Sequence, residues 1–228
     1  SEDDRGQTVN ITKDSKIVVR YTAKLNESAV IGSTGNSNTA SLTYSNNPNS
    51  TGGGSKGVTP KDKVVVFTYQ VIVNKVGQDS RTPLKGAGFT LYKKDSTGVY
   101  NKVEEITAGE TTTFTFKGLN VGDYKLSETV TPAGYNTIAD VEFTISADVD
   151  KASDNPILNT LEATSTSTNK LVFTSNIVDG SLTTTVVNKK GSILPSTGSV
   201  GTTMLYVMGS LLVIGAGILL AVRKKTNN

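Results

Sequence analysis

The chain has no cysteine, no histidine and no tryptophan among its 228 residues. Without cysteine there are no disulfides and no thiolate metal sites. Without histidine the usual general base and the commonest metal ligand are missing. Ser-His-Asp triads, Cys-His pairs and histidine zinc sites are therefore excluded, whereas carboxylate chemistry and calcium binding are not. Excess charge is scarce too: 23 basic and 20 acidic residues leave a net charge of +3. Arg223, Lys224 and Lys225 stand together near the C-terminus, so the rest is neutral. A neutral body argues against nucleic acid as a partner. What is abundant is threonine, serine, asparagine, valine and glycine, a mix that favours strands and turns. The fold class expected is all-β.

One long hydrophobic run exists. Residues 202–222, TTMLYVMGSLLVIGAGILLAV, carry no charge over about the length that crosses a bilayer, so a transmembrane helix is expected. The basic tail 223–228 follows and is expected on the cytoplasmic side, leaving the bulk of the protein outside. The opening SEDDRG has neither methionine nor an apolar signal region, so a C-terminal piece of a longer secreted precursor is expected. Residues 191–201 read as a linker containing Leu194, Pro195, Ser196, Thr197 and Gly198. This LPSTG pentapeptide, with its apolar span and basic tail, resembles the LPxTG sorting signal of Gram-positive surface proteins. The resemblance implies that a sortase cuts between Thr197 and Gly198. It also implies that the Thr197 carbonyl is joined to an amine of peptidoglycan or another pilin subunit. The membrane would hold the chain only before sorting, and its final place would be the cell wall.

Upstream, alternation of apolar and polar residues marks strands. Residues 16–25 (KIVVRYTAKL) and 40–44 (ASLTY) alternate, but two strands are too few for a domain. Residues 1–48 are thus expected to be the end of a preceding β-sandwich domain. Residues 49–62, rich in Asn, Gly, Ser and Pro, read as a linker. Residues 63–190 offer strand candidates at 64–76, 88–93, 112–117, 124–129, 141–145, 170–174 and 182–188. About seven short strands with turn residues between them suggest a β-sandwich.

Three of these strands place a polar residue in apolar phase. Lys75 ends the row Val65, Phe67, Tyr69, Val71, Val73. Glu128 ends the row Tyr124, Leu126, and Asn188 ends the row Leu182, Thr184, Val186. Period-2 geometry turns all three toward one core. Each alone reads more simply as a strand end reaching water, and as a set the two readings are evenly matched. Buried unpaired, each costs several kcal/mol. A reaction removes that cost. A desolvated lysine gives up its proton and becomes a nucleophile, and a carboxyl in the same apolar site keeps its proton and polarises an amide carbonyl. Lys75 can then attack the Asn188 side chain with Glu128 shuttling protons; ammonia leaves and an isopeptide bond remains.

These segments also resemble a family. YKLSETVTPAGYN (124–136) resembles the E-box of Gram-positive pilin subunits, VIVNKVG (71–77) their first-strand lysine motif, and PLKGAGFTLYKKD (83–95) the segment after it. TTVVNKK (184–190) resembles their closing strand. With LPSTG, the chain from Lys63 on resembles the C-terminal CnaB-type, Ig-like domain and sorting signal of an LPxTG-anchored major pilin of the SpaA-like class. The resemblance implies Lys75 and Asn188 as the bonded pair and Glu128 as the catalytic acid. The front piece resembles the end of a CnaA-type domain, with Asn46, or Asn36 as its rival, as amide partner of an upstream lysine. The implied function is a structural pilus subunit; the alternative is a wall-anchored adhesin whose stalk is this chain. An enzyme is not expected beyond the single self-crosslinking turnover, since a carboxylate glycosidase would rest on Glu128 alone. No cofactor and no metal are expected, for Asp148, Asp150 and Asp154 lack EF-hand spacing and read as a solvated loop. Partners implied are a sortase, other pilin subunits and peptidoglycan; nothing identifies a host ligand.

Overall fold

The computed structural model describes residues 6, 12, 14–16, 18–47, 54–168, 170–191 and 208–209. The sorting pentapeptide, nearly all of the apolar run and the basic tail lie outside the described residues. No helix among the described residues is long and apolar enough to cross a membrane.

Thirteen strands follow one another among the described residues. They are β1 (Asn36–Ala40), β2 (Thr43–Ser45), β3 (Lys56–Val58), β4 (Asp62–Val66), β5 (Tyr69–Val76), β6 (Gly88–Lys94), β7 (Tyr100–Ile106), β8 (Thr113–Leu119), β9 (Gly122–Val130), β10 (Val141–Asp150), β11 (Ile157–Ser165), β12 (Phe173–Asn176) and β13 (Ser181–Val187). A five-stranded sheet, β11-β10-β9-β6-β7, faces a four-stranded one, β12-β13-β5-β8. Inward side chains of both fill the core: Val71, Val73, Phe116 and Leu182 from the smaller sheet, Phe89, Leu91, Tyr124, Leu126, Phe143 and Ile145 from the larger. Phe89 and Phe114 meet edge to face across the gap at 4.9 Å. The all-β sandwich expected from alternation is what forms.

The strands that open and close the sandwich lie side by side. β13 pairs with β5 in parallel, from Ser181 opposite Gln70 to Val187 opposite Val76. A parallel neighbour needs a long connection, and here the connection is the body of the domain.

Two strands of the sandwich had no clear signal in the sequence. β7 is an exposed edge strand bearing Lys102, Glu104 and Glu105, and so lacks an apolar face. In β11 the buried residues are Leu158 and Leu161, three apart. A register shift at Asp148/Val149 inserts one residue on β11, which breaks the period of two.

The front of the chain differs from the alternation reading. Residues 18–25 form no strand, and Val19 and Tyr21 remain 80% and 68% exposed. Alternation alone does not make a strand where no partner strand lies alongside. The run expected at 64–76 is two strands, because strand pairing is interrupted at Phe67 and Thr68, which themselves stay buried. Beyond that break β4 pairs with β1, while β3, within the expected linker, pairs with β2.

At the same break, residues 30–36 are tied to the end of the sandwich. Gly32 N–H donates to Thr68 O at 3.0 Å and Ser33 N–H to Ile177 O at 3.0 Å, and Thr68 Oγ1 donates to Val30 O at 3.2 Å. Gly32 and Gly180 touch backbone to backbone. A Cβ on Gly180 would stand 2.7 Å from Gly32 Cα, and one on Gly32 would stand 2.3 Å from Val178 O. Both have positive φ, 93° and 63°, so glycine is required twice over.

Candidate functional site

The rows read from the sequence converge at one end of the sandwich. β5 ends its inward row Tyr69, Val71, Val73 with Lys75; β9 ends Tyr124, Leu126 with Glu128; β13 leads through Leu182, Thr184, Val186 to Asn188 just beyond its last residue. Lys75 and Asn188 have no solvent exposure and Glu128 has 6%. Register brings them together: Lys75 stands opposite Val186, Asn188 N–H donates to Val76 O at 3.1 Å, and Glu128 stands opposite Phe89.

Glu128 is the hub. Its Oε1 accepts from Asn188 Nδ2 at 2.7 Å and lies 3.9 Å from Lys75 Nζ. Its Oε2 accepts from the Ile138 backbone N–H at 3.0 Å. Lys75 Nζ also reaches Val186 O at 3.3 Å and Val76 O at 3.5 Å. Burial pushes the Lys75 ammonium down from 10.5 to about 8, against the opposing pull of the Glu128 charge. Asn188 Oδ1 has no hydrogen-bond partner. Turning the amide over, an assignment coordinates alone do not fix, sets this oxygen against the Glu128 carboxyl. A lysine amine of lowered proton affinity, a carboxyl and an amide therefore share one buried site.

The Ile138 N–H carries no mark in the sequence, because a backbone donor in a loop has no residue type to betray it. That loop also borders a groove of about 460 Å³, lined by residues of 136–141, Lys170, Leu171, 185–187 and Lys189.

The other candidates lie elsewhere. Asn46 is exposed, its N–H bonded to Ser55 O. Asn36 is half-buried and its amide spans Val30 N, Val30 O and Val66 O. Asp148 and Asp150 stand on β10 and not in a loop; Asp148 accepts from Asn159 and Asp150 from Ala152 N. Among the described residues no three potential metal ligands cluster.

Comparison with known proteins bears on the whole arrangement. Residues 69–158 match the SpaA prealbumin-like fold domain, and residues 186–228 match the LPXTG cell wall anchor motif. The trypsin-resistant surface T6 protein of Streptococcus pyogenes serotype M6 is 30% identical over an alignment 266 positions long, gaps included, covering 91% of this chain and 48% of that protein. The chain thus spans about half the length of the curated relative it matches. Among solved structures, the T6 backbone pilin of serotype M6 S. pyogenes is similar at 25% identity and a TM-score of 0.49, over 74% of this chain and 46% of that one. A C-terminal fragment of the major pilin GBS80 of Streptococcus agalactiae is similar at 25% identity and a TM-score of 0.43, over 54% and 49%. The sequence matches, rather than these partial superpositions, carry the assignment. The chain is a cell wall-anchored surface protein that carries a SpaA prealbumin-like domain and an LPXTG anchor and is homologous to the T6 backbone pilin.

Proposed function

We propose that the chain is part of a structural subunit of a sortase-assembled pilus, that residues 63–190 are its wall-proximal domain, and that Lys75 and Asn188 join in a self-made isopeptide bond. The observation that carries this reading is the burial of Lys75, Glu128 and Asn188 together at the ends of two parallel strands. The neutral Lys75 amine attacks Asn188 Cγ. One of its protons passes by way of Glu128 to Nδ2, the Cγ–Nδ2 bond breaks, and ammonia departs. The other proton stays on the new amide. A buried amine and a buried primary amide become one secondary amide whose polar atoms face Glu128.

A pilus bears tension along its length. Load arriving at β5 runs from Tyr69 to Lys75, crosses the bond to Asn188 and leaves through residues 189–191. The strands between β5 and β13 are outside that path. A sortase then joins the Thr197 carbonyl to an amine of another subunit or of peptidoglycan, as the anchor motif suggests.

Intact mass of the full chain is the test. Wild type is expected to be lighter than its sequence by one ammonia and Glu128→Ala to have full mass; full mass in both overturns the crosslink. Very large covalent species in cell wall extracts distinguish a polymerised shaft from a singly anchored adhesin stalk.

A further inference from the structure

The three residues after Asn188 are held as firmly as a strand. Lys189 O accepts from Asn136 N–H at 2.9 Å, and Gly191 N–H donates to Gly134 O at 3.0 Å. Tyr135 and Lys190 form an antiparallel bridge. On the other flank Lys190 N–H donates to Gln78 Oε1 at 3.1 Å, in the turn that follows β5. Residues 134–136 belong to the same loop as Ile138, and it is the Ile138 N–H that holds Glu128 Oε2. Glu128 Oε2 has no other hydrogen-bond donor among the described residues.

We propose that residues 189–191 are a positioning element for the reaction at Asn188: their pairing with 134–136 sets the loop so that Ile138 N–H orients the Glu128 carboxyl. The acid is then aligned only after the strand bearing its amide target has docked. Lys75 and Glu128 both precede Asn188 in the chain and, without it, would face each other with no partner to act on. Coupling acid to target in this way costs no extra residue, because the segment that delivers Asn188 also closes the loop. The inference rests on the crosslinking reading above.

The experiment compares Gly191→Pro, which removes the N–H donated to Gly134, with Gly191→Ala, which keeps it. A Cβ at Gly191 meets the Asn136 side-chain oxygen at 3.3 Å, which can turn aside, and Gly134 O at an ordinary 3.7 Å, so alanine is tolerated. Ammonia loss is followed by mass against time in refolded full chain. The expected result is that Gly191→Pro slows the reaction by roughly ten- to a hundredfold, the scale on which misplacing a catalytic group acts, while Gly191→Ala keeps the wild-type rate. Equal rates in all three overturn the proposal. A second measurement does not need the reaction: in Lys75→Ala chain, the Ile138 amide is expected to be protected from hydrogen exchange, and Gly191→Pro to remove that protection while core amides such as that of Leu126 keep theirs. Retained Ile138 protection also overturns the proposal. Wild type at full mass, with Ile138 protection lost in Gly191→Pro, would locate the failure in the crosslink and not in the coupling.

Discussion

At the scale of residues, the buried lysine is the most consequential side chain. Its proton affinity falls to about 8 when folded against 10.5 when free. In a chain that cannot react, such as Asn188→Ala, both states hold the proton below pH 8, and the folded state bears the full cost of a buried ammonium. Between pH 8 and 10.5 the unfolded chain binds more protons than the folded one, so stability must rise with pH. The rise is on the order of 3 kcal/mol. Denaturant melts of Asn188→Ala against Lys75→Met/Asn188→Ala at pH 7 and pH 10 measure it; a falling or flat difference contradicts the lysine's lowered affinity. Lys75, Glu128 and Asn188 were all readable in the sequence, since each closes an alternating row and side-chain direction in a strand has a period of two. Ile138 was not, because it acts through its main chain. From sequence Asn46 stood ahead of its rival Asn36, and the two prove unlike in setting: the Asn36 amide is fully engaged, whereas Asn46 is exposed.

At the scale of elements, legibility followed burial. β5, β6, β8, β9, β10 and β13 contribute inward rows and their alternation reveals them. β7 faces water at an edge, and β11 breaks step at its bulge, so neither shows the pattern. Residues 18–25 show the converse, a pattern without a partner strand. The contact of Gly32 with Gly180 was illegible for another reason: each glycine reads locally as a turn, and only the tertiary fold reveals that they face each other. Gly180→Ala places a methyl against Gly32 backbone and strains a positive φ. A loss of about 1–3 kcal/mol is expected, together with faster proteolysis near residues 29–35 than in wild type. Unchanged cleavage there would show that the contact does not hold the segment.

At the scale of the whole molecule, the bond would close a loop containing most of the sandwich. By analogy with a disulfide closing a loop of similar length, it stabilises by roughly 4–5 kcal/mol through the unfolded state. Asn188→Ala should therefore melt well below wild type. Under a pulling force applied at the two ends of the sandwich, wild type should show no extension from the residues between Lys75 and Asn188, whereas Asn188→Ala should release them in full. Full release in wild type would contradict the load path.

The contact between Gly32 and Gly180 matters at this scale too. It leaves no slack chain between residues 30–36 and the sandwich, and therefore no swivel at that joint. In a fibre of the proposed kind, this joint passes on torque as a fixed coupling does, and any bending is left to joints elsewhere along the fibre.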